Sequence, residues 1–497
     1  LIMKMKYIFG VALTSVMFAS CSEDIMDHIN TDEAHPSINI NAKLQLTDAE
    51  VATVYSTLCG NYAWYVSSYT EQLFGTGNNQ LRMVEKRNLS EVAGSAVFEN
   101  EWNSTYLNLN NLRLMHNKCQ EGGVNAKEYN LLGVTQTLEA VNWATLTDLH
   151  GDIPYKECFV TSNPQIDKQK VVYDRVFELL DSAQINFARG TDDFSANDII
   201  YSGKVAKWAA FAHALKARYL LRTYGVNKTT AQLQKVVAEA QAAISGGFEG
   251  CELAVFNGQT ADNSWYAYAQ SRSYTGCSST VEKLLTARND PREPIYNYNK
   301  FGKNVVANPG DDALASETEY VNWPAYLDNG AAPLHMMSSS ELYFILAEAQ
   351  ARLGTDAKTA FEKGVTASIK DFYTAGGSVI EASITDAQIT NYLTSINARF
   401  TANPLNEILI QKYIAQTRDE QLETYNDIRR CRYIDGSYPV AMTNPNNTSG
   451  GANRWPLCLP YGDSDVKSNP HVTAAFGSGN DAGMYVFTKR VWWAGGE

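Results

Sequence analysis

The feature that most limits the fold is the spacing of apolar side chains from Thr47 to about Ile244, where they recur every three or four residues. This is the period of an α-helix with one buried face. One such face runs over Leu131–Trp143 and another over Trp208–Arg222. Gly225 follows the second face, where a helix is expected to end. The sequence therefore predicts a mainly α-helical protein.

Two long segments interrupt this helical pattern. Residues 247–333 are rich in Gly, Asn, Tyr, Trp and Pro, and residues 432–497 contain prolines that exclude long helices. Between them, Ser339–Leu353 and Asp356–Tyr373 are predicted to form a helical hairpin. Helix pairs without an exact period are typical of degenerate helical repeats. We predict one domain at 46–497, with a helical scaffold at about 47–246 and 338–431 and loop-rich insertions at about 247–337 and 432–497.

The first residues have the composition of an export signal. Within residues 1–20, basic side chains precede the apolar run Tyr7–Phe18, small residues follow, and Cys21 comes next. The run is shorter than the roughly 20 residues of a membrane-spanning helix. We expect residues 1–20 to be removed as a signal peptide, Cys21 to be lipidated, and residues 21–45 to act as a tether. An ordinary signal peptide with an incidental Cys21 is the alternative.

Charge and motif content limit the function. Acidic side chains outnumber basic ones, 54 against 41, and the net charge is −13. Nucleic-acid affinity depends on Lys and Arg that neutralise phosphates, so we expect no nucleic-acid partner. The sequence has no G-x-S-x-G, H-E-x-x-H or P-loop pattern. We therefore expect a binding protein and not an enzyme.

The sequence leaves open whether cysteines form disulfides and whether loop carboxylates bind calcium. Cys251 with Cys277, and Cys431 with Cys458, bracket loop-rich stretches and could form disulfides, with buried thiols as the alternative. No cofactor is predicted, because no Cys or His spacing is typical of a zinc site. Some loop carboxylates could bind a structural calcium ion, although the spacing of an EF-hand is absent. The alternative is that these carboxylates are simply solvated. The carboxylates concerned are those of Asp311, Asp312, Asp463 and Asp465.

Several separate strings resemble one family. Asp148–Tyr155 (DLHGDIPY), Asp198–Arg222, Ser338–Ala349 and Ile408–Tyr433 are similar, in order, to segments of SusD/RagB-like outer-membrane lipoproteins. The terminal Val491–Trp493 is similar as well. Strings in register over most of the chain are more specific than any one of them.

The resemblance implies a tetratricopeptide-like right-handed helical superhelix with large irregular loop insertions. It implies a lipid-anchored protein on the outer face of the outer membrane, which caps a TonB-dependent, SusC-like transporter. Such proteins bind an oligosaccharide, or in some branches a peptide, and pass it to the transporter. The implied function is therefore nutrient capture at the cell surface.

Aromatic side chains on irregular segments are the candidate ligand contacts. A saccharide offers apolar ring faces and a rim of hydroxyls, so flat rings beside amide and charged groups suit it. We expect these loop aromatics to be exposed, with filling of the loop interiors as the alternative. Trp265→Ala and Trp323→Ala are then expected to weaken binding with little change in melting temperature. The candidates are Trp265, Tyr266, Tyr274, Arg272 and Asn263 in one cluster, Trp323 and Tyr326 in a second, and Trp64 and Tyr69 in a third.

Other conspicuous residues are interpreted as structural. Trp143 and Trp208 lie in helical register and are expected in the core. Glu423, Arg429 and Arg430 are expected to tie a late helix to the scaffold.

Overall fold

A computed structural model of the protein describes residues 40–76, 80–273, 275–310, 321–442 and 454–497. Cys21, Tyr274 and the Asp311-Asp312 pair lie outside these residues, and the side chain of Arg272 is not among those described.

The described chain is mainly helical, as predicted. A π-helical turn, Ala52–Leu58, follows the first helix. The helices before the first insertion are α1 (Lys43–Val51), α2 (Asn61–Tyr69), α3 (Gln80–Glu85), α4 (Leu89–Val92), α5 (Glu99–Cys119), α6 (Tyr129–His150), α7 (Gln169–Arg189), α8 (Val205–Arg222) and α9 (Thr230–Ser245).

Helices also occur in both segments that were predicted to be loop-rich. The first contains the short helices α10 (Ser264–Arg272), α11 (Ser279–Thr286) and α12 (Glu293–Tyr296). The scaffold then resumes with α13 (Ser339–Leu353), α14 (Lys358–Gly376), α15 (Asp386–Ala402), α16 (Pro404–Ala415) and α17 (Gln421–Ile434). The C-terminal segment adds α18 (Asp463–Ser468) and α19 (Pro470–Phe476).

Neighbouring helices pack in pairs: α6 with α7, α8 with α9, and α13 with α14. The α13–α14 pair is the predicted hairpin. Its first helix begins at Ser339 because the Ser338 hydroxyl accepts a hydrogen bond from the Glu341 amide at 3.1 Å. It ends at Gly354, whose φ of +69° suits a residue without Cβ. Helix α6 is buried on nearly every side and forms the centre of the core.

Among the described residues there are three two-stranded antiparallel sheets, two of which join segments far apart in sequence. They pair β1 (Leu73–Gly75) with β5 (Thr275–Cys277), β2 (Ile153–Pro154) with β3 (Ile166–Asp167), and β4 (Gly250–Leu253) with β6 (Leu334–Ser338). The β4–β6 pair joins the two ends of the first insertion, and helices α9 and α13 on either side of it also pack together. The insertion therefore leaves the scaffold and returns to it at one place.

Buried ion pairs link the scaffold helices. Arg222 of α8 lies between Asp148 of α6 and Glu423 of α17. The Arg430 guanidinium contacts both oxygens of Glu348 on α13, at 2.6 and 2.8 Å. These side chains are buried or nearly so. The predicted ties of Glu423 and Arg430 to the scaffold are confirmed.

The possible disulfides are absent from the structure. Cys251, Cys277, Cys431 and Cys458 are all free, buried thiols. Cys277, for example, donates to the Tyr296 carbonyl at 2.7 Å instead of meeting a second sulfur. The alternative of buried thiols is therefore the correct one.

The described loop carboxylates are engaged by protein groups. Asp463 accepts from the Ser95 hydroxyl at 2.7 Å and pairs with Lys467. Asp465 accepts from the Trp102 indole at 2.8 Å. In the part of the chain that the structure describes, no cluster of His, Cys, Asp and Glu is arranged to hold a metal ion.

Candidate ligand-binding surface

The candidate surface lies where α10 of the first insertion packs against α2 of the scaffold. Tyr268 stacks on Trp64, with ring centroids 4.1 Å apart and an interplanar angle of 16°. Trp265, three residues before Tyr268 on α10, meets Trp64 edge-on at 6.4 Å. Trp64, Tyr266 and Tyr268 are partly exposed. We call these three residues the aromatic surface.

Further aromatic and polar groups border this surface. Tyr55 and Phe256, both partly exposed, lie with ring centroids 6.2 Å apart. Burial, and then the Asp262 carboxylate, raises the pKa of the Tyr55 phenol. A Cβ at Gly330 would lie 2.6 Å from Asp262 Oδ1 and 3.2 Å from Tyr266 Cδ1, so those two side chains are neighbours. The Asp262 carboxylate therefore lies next to Tyr266 of the aromatic surface.

Three buried polar atoms at this place have unmet hydrogen-bonding capacity. Trp64 Nε1, Trp265 Nε1 and Asp262 Oδ1 have no hydrogen-bond partner among the described residues. Buried polar groups are normally paired, so such atoms call for an explanation. Two are donors and one is an acceptor, but all three are shielded from solvent by the packing of α10 against α2.

Asn263 positions α10 and is not available to a ligand. Its side-chain oxygen accepts from the Tyr266 amide at 2.8 Å and caps the helix. Its side-chain nitrogen donates to the carbonyls of Asn329, Gly330 and Ala332 at 2.8–3.2 Å. The side chain is 1% exposed. The structure therefore gives this predicted contact a structural role.

Four predicted aromatic contacts lie in the interior. Trp265, Trp323 and Tyr326 are each 1% exposed, and Tyr69 is fully buried. The Tyr326 hydroxyl donates to the Thr417 carbonyl at 2.9 Å. The expectation that these side chains are exposed is wrong, because the insertion packs against the scaffold and the large rings of both contribute to one continuous core. The structure thus separates the candidates into an interior set and the aromatic surface.

The margin of the insertion holds a cation over one of the buried rings. Lys300 Nζ lies 4.3 Å from the Trp323 ring centroid and 2.6 Å from Asp328. Asp328 also accepts from Gln270 of α10. This small network joins α10 to the second aromatic cluster.

A groove elsewhere on the scaffold has a different chemistry. It has a volume of about 950 Å³ and lies between β6 and helices α13 and α14. Carboxylate and hydroxyl side chains line the groove, together with His335, and Tyr343 contributes a phenol ring to the lining. It offers little apolar ring surface, so the aromatic surface is the better candidate for stacking against a sugar.

Comparison with known proteins now identifies the class. Residues 40–449 match the family model SusD-like_2, described as starch-binding and associating with the outer membrane. That match covers most of the chain, and the chain belongs to the SusD-like family. The resemblance drawn from the sequence strings is thereby confirmed. Comparison with curated proteins found no match.

Solved structures agree on the fold. A SusD/RagB family protein from Bacteroides thetaiotaomicron VPI-5482 is similar, with 31% identity and a TM-score of 0.82, covering 92% of this chain and all of that one. A chitin-binding protein gives 22% identity and a TM-score of 0.73, over 91% of this chain and all of that one. A chitin-binding SusD homologue from Flavobacterium johnsoniae gives 19% and 0.67, over 90% of this chain and 98% of that one. The predicted tetratricopeptide-like helical fold is confirmed.

The family is associated with the outer membrane. Among the described residues, no helix combines the length and the apolar character that crossing a bilayer requires.

Proposed function

We propose that the protein is a cell-surface lipoprotein that binds a nutrient oligosaccharide and delivers it to a TonB-dependent, SusC-like transporter. The family's description as starch-binding supports a glycan ligand. Two structural neighbours are described as chitin-binding, which also favours a saccharide. The observation that carries the proposal is the partly exposed stack of Tyr268 on Trp64.

The aromatic surface supplies what a sugar needs. The rings of Trp64, Tyr266 and Tyr268 offer faces for C–H contacts, each worth about 0.5–1.5 kcal/mol by analogy with aromatic pairs. The Asp262 carboxylate, beside Tyr266, supplies an acceptor for hydroxyls. Ring stacking together with hydrogen bonds to the ligand corresponds to millimolar to micromolar affinity, about −4 to −8 kcal/mol. A protein that hands its ligand to a transporter needs no tighter binding.

Calorimetric titration of the full chain in detergent tests the ligand class. Neutral oligosaccharides and a peptide digest are the two titrants. We expect saturable heat with one saccharide class, and Trp64→Ala or Tyr268→Ala should weaken that binding about tenfold. Tyr433→Ala, which removes a tyrosine that is 38% exposed elsewhere on the molecule, is the control and should bind normally.

Other outcomes of the titration have definite meanings. Heat with peptides alone would replace the glycan by a peptide ligand. Equal saccharide affinity in both aromatic-surface variants would exclude this surface as the binding site. No heat with either titrant would contradict ligand capture by the protein alone.

The lipid anchor is tested separately. Cys21→Ala should release the protein from the membrane fraction, because the acyl chains would be absent. Retention of the variant with the membranes would contradict the anchor. Pull-down of the wild-type protein should recover a TonB-dependent transporter if the proposed partner is correct.

A further inference from the structure

A second cleft lies on the helical scaffold, where α5, α6 and α7 meet the segment after β2. Its volume is about 310 Å³, which is at the small end of the range for ligand pockets. Its aromatic lining residues are Trp143, Tyr155 and Phe159, and its charged lining residues are Arg113, Glu139, Lys156 and Arg175. We call this the scaffold cleft.

Aromatic rings form its apolar wall. Trp143 meets Tyr155 edge-on, with ring centroids 4.9 Å apart and an interplanar angle of 85°. Phe159 lies 6.4 Å from Trp143 and is partly exposed. Val160 beside it is 85% exposed, so the wall continues to the protein surface. A ring-shaped ligand can therefore reach this wall from solvent.

Two arginines give the cleft a positive side. The Arg113 guanidinium lies 5.3 Å from the Phe159 ring centroid and donates twice to the Asn110 side-chain oxygen, at 3.1 and 2.9 Å. That partner is a neutral amide, so the charge of Arg113 is not balanced by a carboxylate there. Arg175 pairs with Glu178 at 2.9 Å, but the Glu178 side chain is 64% exposed and the pair is weak. Both cations are therefore available to a ligand carboxylate.

Glu139 adds an acceptor to the same cleft. One of its carboxylate oxygens lies 2.8 Å from His116 Nδ1. The other makes no hydrogen bond to a described residue. An ionised carboxylate only accepts hydrogen bonds, so it selects a ligand that offers hydroxyl donors.

We propose that the scaffold cleft binds a uronate, a sugar ring that carries a carboxylate. The carboxylate contacts Arg113 and Arg175, since guanidinium groups match carboxylates in charge and geometry. The apolar face of the ring lies against Tyr155 and Phe159, which are partly exposed, with the buried Trp143 behind them, and a ring hydroxyl donates to Glu139. An aromatic carboxylate without hydroxyls would leave Glu139 unsatisfied. The choice of a saccharide rests on the proposed function, whereas the cleft is separate from the aromatic surface.

Calorimetry on the full chain in detergent tests this site, with digalacturonate as the acidic probe and galactobiose as its neutral counterpart. We expect saturable binding of digalacturonate and at least tenfold weaker binding of galactobiose. Arg113→Gln and Arg175→Gln should each weaken digalacturonate binding at least tenfold. Raising the salt concentration should weaken it as well, because ions screen the charge pairs.

Arg189 provides a matched control. Like Arg113, it donates twice to an asparagine three residues earlier (Asn186, at 3.1 and 2.7 Å) and lies over an aromatic ring, that of Tyr129. It belongs to α7, as Arg175 does, but does not line the cleft. Arg189→Gln should leave digalacturonate binding unchanged.

Three results would overturn the proposal. They are binding of benzoate as tight as that of digalacturonate, equal digalacturonate affinity in Arg113→Gln, and loss of digalacturonate binding in Trp64→Ala. Neutral glycan binding that depends on Trp64, with no uronate binding, would remove the scaffold cleft and leave the proposed function intact. Uronate binding that depends on Arg113, without any neutral glycan binding, would support the cleft and contradict the aromatic surface.

Discussion

Buried ion pairs occur in both the helical scaffold and the first insertion, which differ in how much regular helix surrounds those pairs. In the scaffold, buried arginines such as Arg222 and Arg430 meet carboxylates from other helices. In the insertion, residues 247–337, the fully buried pair of Arg292 with Asp290 joins residues two positions apart in sequence, and large rings such as Trp265 are buried as well. Ion pairs between helices are directional and fix how the helices pack, whereas rings supply buried volume to a segment with little regular structure. Charge therefore adds specificity to helix packing, and apolar burial contributes to both regions.

The largest expected effect comes from emptying the interior of the insertion. Trp265→Ala and Trp323→Ala should each lower the free energy of unfolding by about 3–5 kcal/mol, because each leaves a large cavity. The double variant should lose about 6–10 kcal/mol if the two sites act independently. Urea unfolding measures the loss, and Trp64→Ala is a partly exposed control that should lose less. A melting temperature close to that of the wild type would restore the sequence-based expectation for these two tryptophans.

Breaking one buried ion pair tests the scaffold. Arg430→Met should lower the free energy of unfolding by up to about 3–5 kcal/mol, since it removes the two hydrogen bonds to buried Glu348 and leaves Arg352 as the described ion-pair partner of that carboxylate. Adding Glu348→Leu should recover part of that loss. Lys170→Met removes an exposed pair with Asp174 and should change stability by less than about 1 kcal/mol. If Glu348→Leu lowers the free energy of unfolding of the Arg430→Met variant still further, the Arg430–Glu348 pair itself contributes most of the stability at this place.

The pH dependence of stability tests an ion pair that joins the two regions, between His335 at the end of the insertion and Asp419, 3.0 Å away. Burial lowers the pKa of the His335 imidazole, but the carboxylates of Asp419 and Asp371 outweigh burial and raise it to about 10. Protonated His335 therefore contributes its full stabilisation to the folded state below pH 6.5. The free energy of unfolding then falls as pH rises towards 10, by up to about 1.4 kcal/mol per pH unit. Unfolding free energies at pH 6, 8 and 9.5 should fall less steeply in His335→Gln. Parallel curves for variant and wild type would refute the raised pKa.

The smallest change in stability is expected from removing the Lys300 charge that lies over the Trp323 ring. Lys300→Met removes the cation over Trp323 and the ion pair with Asp328, and should lower the free energy of unfolding by about 0.5–1 kcal/mol. Lys300→Arg keeps both interactions and should lose less. A loss as large as that of Trp323→Ala would show that the Lys300 charge contributes as much to stability as the buried ring.

The sequence predicted the scaffold well and the candidate site poorly. The three- and four-residue period marked α6 and α8, and the range predicted for the first helix of the hairpin, Ser339–Leu353, is that of α13. The short helix α10 was missed, because it lies in a segment too polar and aromatic for a helical period to show. Aromatic residues identified the region of the aromatic surface, but not which rings are buried. That distinction depends on how α10 packs against α2, about 200 residues away in sequence.

The pairing of β4 with β6 has an evolutionary consequence. Gly250 is opposite Ser338 and Leu253 is opposite Leu334, so the insertion begins and ends at adjacent points. Closing a longer or shorter loop between fixed points changes the free energy only slowly with length. The scaffold can therefore accept a differently sized or differently shaped segment at this junction without rearranging its helices. A change of ligand would then require a different insertion between β4 and β6, while the scaffold helices keep their arrangement.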